Sequence, residues 1–212
     1  MQKFNIVVVG EKACGKTRLI RAFMNKYISS QYIATIGTDL FQVNFAYERR
    51  TKRVHRVSNP MSTPGADMYT VNVYDTAGDS RFRSIANSYV NQANVFVICF
   101  DKDPETMHTW LEYINERFGK HEVPILIVST KMDLKSEAEL KTTMTKYHLD
   151  FSKKYKQSFL FFQTNSTTPE VVDNIFEAAL REYIRFNNGT ERTLLLNTSR
   201  ETVISTHYCW CL

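Results

Sequence analysis

The segment Gly10-Glu11-Lys12-Ala13-Cys14-Gly15-Lys16-Thr17 constrains this chain more than any other stretch. It follows the apolar run Ile6-Val7-Val8-Val9 and precedes a helical pattern that starts near Arg18. Strand, glycine loop and helix in that order turn a short motif into a phosphate-binding expectation. Gly10 and Gly15 let the backbone fold tightly, so that the amides of Lys12, Ala13, Cys14 and Gly15 aim inward. The start of the helix adds positive potential where a phosphate would sit. Lys16 would reach the β- and γ-phosphates, and the Thr17 hydroxyl would hold magnesium. The competing reading is an ordinary strand-to-helix turn, and agreement of every fixed position with the context weighs against it.

The rest of the chain alternates apolar runs with amphipathic ones. Strands are expected at 3–9, 38–46, 69–75, 94–100, 123–129 and 158–163. Helices are expected at 16–26, 81–91, 104–118, 137–155 and 170–186. Val95 to Phe100 and Ile125 to Val128 are continuously apolar, as strands buried on both faces are. Asp103-Pro104-Glu105 opens a helix with a cap residue and then proline. This alternation predicts an α/β fold, a six-stranded, mostly parallel sheet with helices on both faces, and the glycine loop at 10–17 makes a P-loop NTPase fold the expectation. The second and third strands read as a hairpin, which makes one edge strand antiparallel. A single domain is expected over 1–186, with a basic hairpin insertion at 48–68 that reads as a long connection without structure. Residues 187–212 read as a polar tail.

Composition narrows the setting. The 212 residues, 43% of them hydrophobic, suffice for one core. The net charge of +5 suits an acidic membrane face or an acidic partner. No run of eighteen apolar residues occurs, so no transmembrane helix is expected. The start runs straight into the first strand, without room for a signal peptide and without the glycine after Met1 that myristoylation needs. Among the four cysteines, Cys14 and Cys99 lack metal-like spacing and read as reduced and structural. With no export signal, the cytosol is the expected compartment.

Three further motifs extend the phosphate loop. Asp75, ending the third expected strand in Tyr74-Asp75-Thr76-Ala77-Gly78, is placed to hold magnesium through water. Thr35, in Tyr32-Ile33-Ala34-Thr35-Ile36-Gly37, offers a second hydroxyl to the metal and an amide to the γ-phosphate. Thr130-Lys131-Met132-Asp133 follows the fifth strand. The Asp133 carboxylate can accept from the ring N–H and amino group that guanine presents side by side, a pair adenine lacks. The stem of Lys131 can cover the base.

These residues, taken together, resemble the Ras superfamily of small GTPases, and most closely its Rab family. Thr35-Ile36-Gly37 with Asp39 carries the likeness, as does Asp75-Thr76-Ala77-Gly78 followed by Arg81-Phe82-Arg83-Ser84-Ile85 and Ser88-Tyr89. The resemblance spans 3–186. It implies a first switch at 28–40, a second at 76–89, GTP binding with Mg2+, and hydrolysis to GDP. In that scheme Lys16, Thr35, Gly78 and Asp79 serve catalysis, and Thr17, Thr35 and Asp75 hold the metal. Thr35 and Gly78 couple the γ-phosphate to the switches. Expected partners are effectors, an exchange factor and a GTPase-activating protein. The resemblance implies a monomer, peripheral on the cytosolic face of intracellular membranes and acting in vesicle traffic.

The pattern is broken in places. Asp79 stands where the family has a glutamine that orients the attacking water, which predicts slow intrinsic hydrolysis. Lys12 replaces a small residue and either contacts the γ-phosphate or blocks an incoming arginine. Thr130 stands where asparagine is usual. Asn165-Ser166-Thr167 replaces Ser-Ala-Lys, keeping a backbone amide for the guanine carbonyl and losing the lysine stem. Ile28, beside Tyr27, occupies the position of an aromatic over the base. These changes predict weaker base packing and faster nucleotide exchange.

The terminal Cys209-Trp210-Cys211-Leu212 matches a geranylgeranylation pattern, and paired cysteines also resemble doubly prenylated Rab tails. The basic run Arg49, Arg50, Lys52, Arg53 and Arg56 reads as a solvated hairpin tip, or as a contact for acidic lipid or protein. Nucleic-acid binding is not expected, because no aromatics interleave these charges. Two other functions stand beside the GTPase: a nucleotide-binding scaffold without turnover, and another P-loop NTPase or kinase.

Overall fold

The computed structural model describes residues 1–59, 63–101, 105–118, 123–134, 159–165 and 168–188. Strand β1 (Gln2–Val9) leads through the glycine loop into helix α1 (Lys16–Phe23). Then come β2 (Thr38–Glu48), β3 (Arg53–Val57) and β4 (Asp67–Thr76). A short 3-10 turn at Ser80–Phe82 precedes α2 (Arg83–Val90). The chain continues through β5 (Val95–Phe100), α3 (Glu105–Phe118), β6 (Ile125–Ser129), β7 (Leu160–Gln163) and α4 (Pro169–Asn187). The expected helix at 137–155 lies outside the described residues, as does Pro104.

The period of two along the central strands builds two separate cores. Phe4, Ile6 and Val8 of β1 face one side with Val95, Val97 and Cys99 of β5. There they meet Leu19, Ile20 and Phe23 of α1 and Val172, Ile175 and Phe176 of α4. Val7 and Val9, with Phe96, Ile98 and Phe100, face the other side against Met107, Trp110 and Leu111 of α3. Helices on both faces bury every residue of β5, which explains its uninterrupted apolar run. Phe23 joins three elements, its ring 4.0 Å from Phe176 and 6.1 Å from Phe45. Such ring pairs add about 1 kcal/mol beyond the area they bury.

The sheet differs from the expected one. It has seven strands in the order β3-β2-β4-β1-β5-β6-β7. Parallel pairing joins β4, β1, β5, β6 and β7, but β2 runs antiparallel to both β3 and β4. The sheet is therefore mixed, and the expectation of six mostly parallel strands is wrong. The added strand comes from the basic stretch that read as a connection without structure. Residues Arg53 to Val57 pair with Asn44 to Glu48 and take the edge, leaving β2 inside the sheet. Only Val54 of the five is fully buried, so the strand has too few apolar residues to show an alternating pattern. Among the described residues no helix is long and apolar enough to cross a membrane.

Candidate functional site

The parallel strands β1 and β4 end side by side, and their C-terminal loops make the site. Gly10 leaves β1 with φ +146°, and a Cβ there would lie 2.2 Å from the Cys99 carbonyl oxygen. Only glycine allows the loop this close to β5. The loop then curls over the Lys16 side chain, which is 5% exposed. Its Nζ donates to the carbonyls of Gly10 at 2.9 Å and Glu11 at 2.8 Å. The loop from β4 passes just above, since a Cβ on Gly78 would sit 2.5 Å from Lys16 Nζ. Lys16 and Gly78, 62 positions apart in the chain, thus share one point of the site.

Three oxygen groups converge beside them. Thr17 Oγ1 donates to Asp75 Oδ2 at 2.7 Å and lies 3.0 Å from Thr35 Oγ1. Asp75 is fully buried, and its other oxygen, Oδ1, has no hydrogen-bond partner. Burial pushes the Asp75 carboxyl above its ordinary range, against the opposing pull of the Thr17 hydroxyl and the Lys16 charge. A buried carboxylate with an orphan oxygen, next to two hydroxyls, is a hard-oxygen donor set that fits Mg2+.

A cavity of about 370 Å³ opens from this point, walled by Lys12, Ala13, Gly15, Thr35, Asp79 and Lys131 among others. Ile28 also lines it, whereas Tyr27 is exposed. Cys14 is buried beneath the loop, and burial raises its thiol pKa, as it does for Cys99. Both thiols therefore stay protonated at neutral pH, in keeping with packing roles.

The far end is assembled less directly. Thr130 is fully buried, and its hydroxyl lies within bonding reach of the carbonyls of Cys14 and, at 3.1 Å, Phe100. It ties the glycine loop to β5 and is not part of the cavity wall. Lys131 has a left-handed φ of 54° and pairs with Asp101 at 2.8 Å. Asp133 sits exposed in the 3-10 turn Met132–Leu134 and does not itself line the cavity, although Lys131 two positions earlier does. Asn165 follows β7, where its Oδ1 accepts from Thr168 Oγ1 at 3.2 Å. Pairing of β6 with β7 brings the Asp133 and Asn165 segments together, with Met132 N–H donating to the Thr164 carbonyl at 3.4 Å. Ser166, Thr167, Cys209 and Cys211 lie outside the described residues.

Arg81 is the group that residue-by-residue reading overlooked. Its side chain donates to both carboxylate oxygens of Asp79, at 3.0 and 2.7 Å, on the cavity wall. These bonds chiefly hold Asp79 well below the usual carboxylate range, with a smaller contribution from Lys12. The signal was an acid two residues before an arginine in a loop.

The model of the Ras family matches residues 5–185. Ras-related protein Rab-7a of Dictyostelium discoideum is 24% identical over 191 residues, covering 87% of this chain and 84% of that protein. With its phosphate loop, buried lysine and converging hydroxyls inside the matched span, the chain belongs to the Ras family and carries a Ras-superfamily P-loop GTPase domain.

Proposed function

We propose that this chain is a Rab-like switch that binds GTP and GDP with Mg2+, hydrolyses GTP slowly, and recruits effectors to membranes in vesicle traffic. The convergence of Thr17, Thr35 and Asp75 beside the buried Lys16 carries the proposal. It joins the glycine loop, the first switch and the end of β4 at one point. In this reading the amides of Lys12 to Thr17 and the Lys16 ammonium hold the phosphates. Thr17, Thr35 and Asp75 hold the cation. Bound Mg2+ would neutralise charge on the phosphate oxygens. Thr35 and Gly78 register whether the terminal phosphate is present. Asp133, Lys131 and the segment 165–167 take the base. Ras-family membership gives no support to the kinase alternative.

The Rab assignment draws on Thr35-Ile36-Gly37 with Asp39 and on the likeness to Rab-7a. Membrane attachment would use Cys209 and Cys211, and the mass of the C-terminal peptide from cells tests it. Slow hydrolysis follows from Asp79, which accepts hydrogen bonds only and has both oxygens engaged by Arg81. The same fork favours a second reading, a nucleotide-binding scaffold with no turnover. Single-turnover hydrolysis separates the two. A rate that is measurable and rises at least tenfold in Asp79→Gln supports the slow switch. No product from the parent or from Asp79→Gln, with or without an activating protein, supports the scaffold.

A further inference from the structure

Asp79 is bound by one residue three times over. Arg81 Nε and Nη2 donate to its oxygens at 3.0 and 2.7 Å, and the Arg81 backbone N–H donates to Oδ1 at 3.0 Å. The Asp79 side chain is 17% exposed and that of Arg81 is 75% exposed. The carboxylate thus faces inward, and the guanidinium is the movable half of the pair. Both line the cavity together with Lys12.

Their place along the cavity is set by the chain. Asp79 directly follows Gly78, whose Cα side abuts Lys16 Nζ and the Glu11 carbonyl. The pair therefore stands beside the lysine that reaches the outer phosphates, not at the Lys131 end. A nucleoside triphosphate differs from a diphosphate there by one strongly anionic group. An ionised carboxylate at that point disfavours the extra group, and a guanidinium favours it. An ion pair open to water is held weakly. Phosphate oxygens offer the guanidinium the same forked geometry with more charge.

We propose that the Asp79–Arg81 fork discriminates triphosphate from diphosphate. Arg81 leaves Asp79 for the terminal phosphate of a nucleoside triphosphate, and Asp79 sets how readily it leaves. This rests on the nucleotide-binding reading. It assigns to Asp79 a positioning role in place of the water-orienting role of glutamine.

The test is equilibrium titration of the full-length protein with fluorescent GDP and a non-hydrolysable GTP analogue in Mg2+. Parent, Arg81→Ala, Arg81→Lys, Asp79→Asn and the Asp79→Asn/Arg81→Ala double variant are compared by their ratio of triphosphate to diphosphate affinity. Arg81→Ala should lower that ratio on the order of tenfold. Asp79→Asn should raise it, and adding Asp79→Asn to Arg81→Ala should restore part of the loss. Arg81→Lys, which keeps the charge without the fork, should lower it less and carries the test if the alanine variant fails to fold. Equal weakening of both nucleotides would show that Arg81 only orders the turn, and would overturn the proposal. So would ratios within twofold of the parent. A parent that binds neither guanine nucleotide overturns the functional reading itself, and this inference with it.

Discussion

The Arg56 guanidinium donates to the carbonyl of Phe23 at 2.6 Å across 33 positions of chain, and lies 5.3 Å from the Phe23 ring. Phe23 ends α1, where carbonyls lack intrahelical partners and the helix dipole favours a cation. A residue of the basic run thus fastens the added strand to the phosphate-loop helix. Arg49 is engaged too, in a forked pair with Asp67 at 2.6 and 3.0 Å. The run is not one uniform patch of free charge.

Replacing Arg56 should therefore act on stability. Arg56→Ala is expected to cost about 1–3 kcal/mol, because it removes a charge-assisted bond and leaves a helix-end carbonyl unpaired. Arg50→Ala or Lys52→Ala, at the exposed tip, should stay within about 0.5 kcal/mol. Urea denaturation of the three variants checks the contrast.

Thr130 links the glycine loop to β5 through buried carbonyls. Thr130→Val keeps the shape and removes the donor, leaving the Cys14 carbonyl unsatisfied. A loss of about 1–3 kcal/mol is expected. The loosened loop should also release GDP faster, which stopped-flow release of fluorescent GDP would record.

Asp75 makes the metal-free protein sensitive to pH. Its folded pKa is raised above the ordinary 3.8, chiefly by burial. The folded state therefore holds that proton more tightly than the unfolded chain. The stabilisation is fully present below about 3.8 and is lost as pH rises through the folded value. With metal chelated, Asp75→Asn should raise Tm above the parent at pH 7, and the difference should shrink towards pH 4. The same variant should lose the slowing of nucleotide release by Mg2+, whereas chelation should speed release from the parent. Thermal melts across pH, with and without metal, check both arms.

Gly78→Ala places a methyl group 2.5 Å from Lys16 Nζ and 2.6 Å from the Glu11 carbonyl. Lys16 or the second switch must move. Nucleotide affinity should fall at least tenfold, on the order expected when a positioned phosphate contact is lost. Direct titration measures it, and an affinity matching the parent would refute the close approach.

What could be read from the chain was what is local. The phosphate loop keeps its glycines, lysine and threonine within eight positions, so spacing alone displays it. Strands β5 and β6 announce themselves because burial on both faces leaves only Ser129, at the end of β6, polar. Strand β3 stayed hidden although its partners Asn44 to Glu48 lie close by in sequence, and its anchor at Phe23 is 33 positions from Arg56. Its charges dominate its composition. Asp79 and Arg81 are two residues apart, yet their mutual engagement depends on the turn that aims both at the cavity. Thr130 read as the residue standing where the family has asparagine, and its place under the loop depends on β5 and β6 pairing in register.

A guanine-nucleotide site at the glycine loop underlies every role proposed above. Isothermal titration of nucleotide-free, full-length protein with GDP and then with ATP, both in excess Mg2+, tests it most directly. Saturable one-to-one binding of GDP and no measurable heat of binding from ATP are expected. Equal binding of the two, or none of GDP, would contradict it.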